Sequence, residues 1–188
     1  MVKLNRIYTR TGDDGSTGLA DGGRRRKDDA RLNAIGSVDE ANAALGVVRL
    51  YSAGDADLDG VLKQVQNDLF DLGADLATPS DDIAWTPIRI RSPQVTALEV
   101  ALDRYNDPMP PLTSFILPAG SQLSAHLHLA RTIVRRAERD AVTLSAGEPV
   151  NAEAMKYLNR LSDLLFVLAR YANAGGAGDV LWMPGGGS

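Results

Sequence analysis

Glycines, hydroxyls, acids and bases crowd into one stretch near the start of the chain, Tyr8-Thr9-Arg10-Thr11-Gly12-Asp13-Asp14-Gly15-Ser16-Thr17-Gly18-Leu19, with Arg24-Arg25-Arg26-Lys27 close behind. Glycines let backbone N–H groups turn toward an anion, and hydroxyls add donors. The basic run supplies charge for a polyphosphate, and the paired aspartates suit a divalent ion. The expectation is a nucleotide phosphate cradle. It is not a Walker loop, because no Gly-Lys-Ser/Thr follows the glycines and no strand-to-helix switch is visible. The competing reading is a flexible loop beside a solvated charge run.

A second constellation lies at Arg131-Thr-Ile-Val-Arg135-Arg136-Ala-Glu138-Arg139. At about 100° per residue, Arg131, Arg135 and Glu138 fall within roughly 60° of one another on a helix. Leu123, Leu127, Ala130, Val134, Ala137 and Ala141 occupy the opposite, core-facing side. Arg136 points elsewhere and Arg139 sits at the margin of the charged stripe. Forked guanidiniums with an acid between them can bind phosphate oxygens; a solvated face with local ion pairs is the plainer alternative. Further along, Asn159, Ser162 or Asp163, Phe166 and Arg170 form a polar line opposite Met155, Leu158, Leu161, Leu165 and Leu168. An asparagine amide both donates and accepts, which suits an adenine edge or a ribose. Asp39 and Glu40 are acids beside an apolar stripe, able to pair with an arginine of another helix or subunit. His126 and His128, two residues apart, cannot form a His-x-x-x-His metal pair and read as packing or polar residues. No Ser/His/Asp triad, Glu-x-x-His di-iron pattern or dinucleotide fingerprint occurs.

The elements that position these groups are helical. Apolar residues at steps of three and four predict helices over about 29–51, 61–76, 92–105 and 121–145, and a fifth running to about Asn173 that Pro149 opens. The acids of Asp55-Ala-Asp57-Leu-Asp59-Gly60 resemble an EF-hand opening, but Gln66 stands where the last ligand belongs. They are read instead as capping the second helix. Thr78 to Pro93 and Asn106 to Leu112 are connections rich in proline. Gly147 is the expected stop of the fourth helix. Val180-Leu181-Trp182-Met183 is expected to pack locally and Gly185 to Ser188 to be mobile. No sheet is predicted. The fold class is all-α, an antiparallel five-helix bundle in a single domain over 1–188: loop 1–28, bundle 29–174 and tail 175–188.

Composition bounds the rest. The 188 residues carry a formal net charge of -4, 44% hydrophobic and 23% charged residues, and no cysteine. These are globular values that exclude disulfides and thiolate catalysis and give no dedicated nucleic-acid surface. No apolar run reaches the roughly 18 residues of a membrane span, and Met1-Val2-Lys3-Leu4 begins no signal peptide. A soluble, cytoplasmic protein is expected.

Taken in order, Tyr8-Thr-Arg-Thr-Gly-Asp-Asp-Gly, Gly36-Ser-Val-Asp39-Glu40, Phe115-Ile-Leu-Pro-Ala-Gly, Ala130-Arg131 through Arg139, and Tyr157-Leu-Asn159-Arg-Leu-Ser-Asp163 match one family. The chain resembles the PduO-type ATP:cob(I)alamin adenosyltransferases over nearly its whole length. Ala119 and Ala41 are conservative departures from residues common at those places. The resemblance implies a ferritin-like five-helix bundle, a homotrimer with ATP between neighbouring subunits, and cob(I)alamin and a magnesium ion as companions. By position, Thr9, Arg10, Thr11, Gly12, Thr17, Gly18 and Lys27 would wrap the triphosphate. A second subunit would supply Arg135, Arg136, Glu138, Arg139 and Asn159. Asp39 and Arg131 match an intersubunit ion pair. Phe115 matches the aromatic residue that displaces the lower axial ligand of the corrinoid. The implied partners are a reductase and a B12-dependent enzyme. The alternative is a nucleotide-binding bundle without catalysis, which would keep the loop and arginines but have no use for Phe115.

Overall fold

A computed structural model describes residues 7–79 and 83–186. The start Met1–Leu4, part of the connection after Thr78 and the last two tail residues lie outside it. Five helices follow in order: α1 Ala30–Ser52, α2 Ala56–Leu76, α3 Ser92–Asn106, α4 Gln122–Ser145 and α5 Ala152–Ala172. Their starts are written locally. The Asp29 carboxylate accepts from Arg31 N, Asp55 from Leu58 N, the Ser121 hydroxyl from Ser124 N and the Asn151 amide oxygen from Glu153 N. Each satisfies a donor that a helix start leaves open. Of the acids read as capping α2, Asp55 is the cap, while Asp57 and Asp59 lie inside the helix, which begins at Ala56 and not near residue 61. Asp59 closes the same corner by accepting from Arg49 and Ser52. Asn151, not Pro149, opens α5, because a side-chain acceptor is what the first turn lacks. Gly147 lies just past α4, but the cap is Ala146 in a right-handed conformation.

α1 packs on α4 and on α2, and α5 on α4 and on α3. The core lies between them: Leu45, Leu58, Leu62, Leu69, Leu72, Leu127, Leu158, Leu161, Leu164, Leu165 and Leu168 are all buried. Ala34 and Ala41 of α1 and Ala130, Ala137 and Ala141 of α4 are buried too, and such small side chains let helix axes approach closely. Each buried leucine contributes about 1.5–3 kcal/mol of transfer free energy, the main support of the bundle.

The expectation of no sheet is corrected. β1 Ser16–Gly18 and β2 Arg24–Arg26 form an antiparallel hairpin in the register Ser16–Arg26, Thr17–Arg25 and Gly18–Arg24. Its strands are three residues long and polar, so no apolar alternation announces them. A second correction concerns the tail, which pairs with a segment far away in sequence. Trp182 N donates to Phe115 O at 2.8 Å and Leu117 N to Val180 O at 2.7 Å. A third concerns the polar line of α5: Ser162 and Arg170 are buried. Arg170 Nε lies 2.9 Å from Asp179, also buried, and Arg170 Nη2 donates to Pro110 O. This pair ties both the tail and the α3–α4 connection to α5. Asn173 completes the tie, accepting from Ser121 N and donating to Ala119 O. Gly120 must be glycine here: its φ is 106°, and a Cβ would stand 2.3 Å from Asn173 Oδ1.

The bundle therefore has two distinct ends. The hairpin lies by the C-terminal end of α4, and Phe115 with the tail lies by its N-terminal end. The 24 residues of α4 separate them by about 36 Å at 1.5 Å per residue.

Candidate functional site

The basic run of β2 divides its work by strand alternation. Arg24 and Arg26 share one face and Arg25 the other. Arg24 donates to Thr11 O at 2.6 Å and to the Ser16 hydroxyl, closing the loop on itself. Arg26 pairs with Asp28 at 2.7 Å. Arg25 reaches the bundle and meets Glu148 at 3.1 Å. Three of the four cations read as phosphate ligands thus have partners within the chain. Lys27 has no ion pair among the described residues. A Cβ on Gly12 would lie 3.2 Å from its Nζ and 3.1 Å from Ser16 O, so glycine is what lets the loop close over this ammonium.

Thr9, Arg10, Thr11 and Gly18 are exposed, and Thr17 is half-buried. The hydroxyls of Thr9 and Thr11 lie 2.9 Å apart. Arg10 adopts a left-handed φ of 62°, a conformation that residues with a Cβ rarely take and that clusters at ligand sites. The acids divide likewise. Asp14 accepts from Ser16 N at 2.9 Å and Ser16 Oγ at 2.7 Å, and the Ser16 hydroxyl bond holds its carboxyl below the usual range. Asp14 is therefore a turn former.

On α4 and α5, Glu138 and Asn159 meet as expected, with Asn159 Nδ2 donating to Glu138 at 2.9 Å. Arg160 donates to the Asn159 carbonyl at 2.8 Å and is itself held by Glu99, so the amide's orientation is fixed on both sides. Arg135 and Arg139 are exposed and form no ion pair among the described residues. Arg136 pairs with Glu40 of α1, which commits it within the chain. Arg131 turns the other way. Its guanidinium lies 5.9 Å from the centroid of Phe166, and its buried Nε has no partner among the described residues. Burial, and then the neighbouring charge of Arg135, push its pKa down. Asp39 is exposed beside the cleft between α1 and α2 and makes no pair with Arg131 within the chain.

Phe115 is 79% exposed at the far end. Trp182 stands edge-on to it at 6.0 Å, and Ser114 Oγ donates to Trp182 O, so the tail strand braces the ring. Nearby, a cleft of about 630 Å³ runs between the α3–α4 connection and α5, lined by Leu102, Met109, Leu112, Asp163, Phe166 and Arg170. His128 is buried edge-on to Phe166, and neither ring nitrogen has a partner among the described residues. Sequence reasoning read His128 correctly as a packing residue but missed Glu148, the bracing by Trp182 and the role of Phe166. Apolar residues 67 positions apart carry no local signal of meeting.

One chain thus presents three separate groups: an exposed hydroxyl-rich loop with Lys27, an arginine–carboxylate–amide stripe midway along α4 and α5, and an aromatic patch at the opposite end. Arg135 lies ten residues before the end of α4, about 15 Å from the hairpin end. Two unpaired arginines aligned on a helix can neutralise phosphate charge, and an exposed aromatic patch can hold a large flat ligand. No cluster of three metal-ligating side chains occurs among the described residues. The donor set fits a magnesium ion carried by phosphate oxygens, which needs only one or two carboxylates, and does not fit a protein-built cage.

The family model for cobalamin adenosyltransferase matches residues 7–172. A corrinoid adenosyltransferase of Mycobacterium tuberculosis strain H37Rv is 54% identical over 188 residues, covering 98% of this chain and 96% of its own length. The corrinoid adenosyltransferase of Homo sapiens is 39% identical over 174 residues, covering 90% of this chain and 70% of its own. Among solved structures, a variant PduO-type ATP:corrinoid adenosyltransferase from Lactobacillus reuteri complexed with cobalamin and ATP superposes with a TM-score of 0.87 at 39% identity, covering 94% of this chain and 99% of that one.

Proposed function

The chain belongs to the cobalamin adenosyltransferase family, and from that premise we infer that its loop, helix stripe and aromatic patch form one site only when subunits associate. The reaction is transfer of the 5′-deoxyadenosyl group of ATP to cob(I)alamin, giving adenosylcobalamin and triphosphate. The electron pair of cob(I)alamin forms the cobalt–carbon bond, and the C5′–oxygen bond breaks with its pair leaving on triphosphate. The protein need supply no nucleophile, which agrees with a chain lacking cysteine. It must place C5′ over cobalt and stabilise a departing polyanion.

In this reading the triphosphate lies in the loop of one subunit, against Thr9, Thr11, Thr17, Lys27 and the N–H groups around Gly12 and Gly18. Arg135 and Arg139 of the neighbouring subunit neutralise the charge that develops on the leaving oxygens. Glu138 aligns the amide of Asn159 to read the nucleoside. Arg131, whose buried Nε finds no partner among the described residues, pairs across the interface with the exposed Asp39. A magnesium ion would add charge neutralisation on the triphosphate. Phe115 occupies the lower face of the corrinoid and excludes its base. Without that donor the orbital that accepts the electron falls, and cob(II)alamin is easier to reduce. Closed homo-oligomers repeat one interface, so a homotrimer carries three such sites.

The observation that carries this reading is the separation of loop, stripe and patch along a single bundle. An anaerobic assay with ATP and chemically reduced cobalamin tests the activity. Formation of the cobalt–carbon bond is expected, and its absence from folded, associated protein contradicts the reading. Arg135→Ala is expected to raise the KM for ATP at least about tenfold, the scale of one lost charge-assisted contact to phosphate. Its circular dichroism and thermal midpoint stay those of the parent.

A further inference from the structure

The hairpin that carries the nucleotide loop packs broadly against no helix. Its place is set by a few polar ties. Ala20 N donates to Ala77 O at 3.0 Å. Among the described residues, Arg25 is the only side chain of the two strands that forms an ion pair beyond the hairpin and its following turn. Its partner Glu148 sits in the turn between α4 and α5 and is gripped by two arginines. Oε2 accepts from Arg31 Nη2 at 2.9 Å and Nε at 3.2 Å and also from Arg25 Nη2 at 3.3 Å, while Oε1 lies 3.1 Å from Arg25 Nη1. Arg31 is 1% exposed and also donates to Leu76 O at 2.7 Å, so it is fixed by the bundle itself. A buried guanidinium thus orients a half-exposed carboxylate, and that carboxylate holds the strand.

We propose that Glu148 is a positioning residue for ATP, fixing the loop in its binding geometry through Arg25 while Arg31 fixes Glu148. The proposal rests on the reading of Thr9–Lys27 as the triphosphate loop. The two groups touch no substrate and act on the population of the competent loop. When only a fraction of molecules holds that geometry, the apparent dissociation constant rises by the inverse of the fraction. Saturating ATP restores the geometry, so the chemical step is unaffected. Asp29 Oδ2, 3.6 Å from Arg25, is the one other acid near this guanidinium and belongs to the cap of α1, so it anchors the same strand end. Removing Glu148 would strand Arg31 without its partner in the interior, whereas changing Arg25 leaves the Arg31–Glu148 pair whole.

The test uses the full chain with Arg25→Gln and Arg25→Lys. It follows KM for ATP and kcat with cob(I)alamin, the thermal midpoint, and amide hydrogen exchange over residues 9–27 with and without ATP. Arg25→Gln is expected to raise KM by roughly two- to fivefold, the scale of a partly exposed ion pair acting on a loop, with kcat within about 1.5-fold. The midpoint stays unchanged, and exchange in the ATP-free loop is faster than in the parent. Arg25→Lys keeps the charge and falls between. An unchanged KM with unchanged loop exchange overturns the proposal, as does a rise in KM matched by a fall in midpoint. ATP leaving residues 9–27 of the parent unprotected overturns the reading of the loop itself, and the proposal with it.

Discussion

Within one turn of α4, His128 and Arg131 leave three buried nitrogens without hydrogen-bond partners among the described residues, all beside Phe166. A buried polar group left unpaired costs about 1–3 kcal/mol, so these nitrogens add nothing to the stability of a lone chain. Burial, then the charge of Arg131, holds the His128 pKa below its usual value, with Asp179 opposing weakly. The folded state therefore binds fewer protons here than the unfolded chain, and stability falls as pH drops below about 6.5. His128→Leu is expected to remove that part of the pH dependence and to leave the thermal midpoint at pH 8 equal or higher. An unaltered slope between pH 7 and 5 would contradict it. Phe115, braced by Trp182, argues differently. Phe115→Ala is expected to impair the route from cob(II)alamin at least about tenfold more than the reaction of cob(I)alamin, because only the first needs the axial base displaced. Equal losses in both assays would remove that role. Residue types alone pointed to the loop, the α4 stripe and Asn159. They could not say that Arg24, Arg25, Arg26 and Arg136 are held by partners within the chain, because such pairs form only once distant segments meet.

The helices were the most readable elements, and the starts of α1, α2, α4 and α5 are each fixed by one capping side chain. Asp55 accepts from Leu58 N and also from the Tyr171 hydroxyl at 2.9 Å, and the backbone bond from Leu58 holds its carboxyl below the usual range. Asp55→Ala is expected to destabilise the fold by about 1 kcal/mol, the usual worth of an N-cap, with Asp55→Asn retaining most of it. Urea unfolding monitored at 222 nm checks both, and equal losses would show that charge and not capping matters. The irregular elements were the unreadable ones. The hairpin hides because its strands are short and polar, and the tail because its partner strand lies at Phe115. Arg170 was read as surface because a base on a helix usually is. Its buried partner Asp179 sits in the glycine-rich turn beyond α5, where periodicity says nothing. Those two misread features build the Phe115 end of the bundle.

At the scale of the molecule, the separation of functional groups along one bundle is the central fact. The hairpin and the Phe115 patch stand at opposite ends of α4, with Arg135 and Arg139 between them, exposed and without an ion pair among the described residues. A bundle of this kind was legible from the three-and-four spacing of its leucines, and its family from five short motifs in order. The division of the site was not legible from spacing, because a sequence does not show which side chains remain without partners. Mixing two inactive variants tests the division most directly. Lys27→Ala damages only the loop and Arg135→Ala only the helix stripe, so each alone is expected to be inactive at low ATP. After the two are unfolded, combined in equal amounts and refolded together, random assembly leaves about a quarter of the interfaces with both groups intact. Recovery of roughly that share of parental activity is predicted. Mixed oligomers, verified by mass, that stay as inactive as either variant alone would contradict a site shared between subunits.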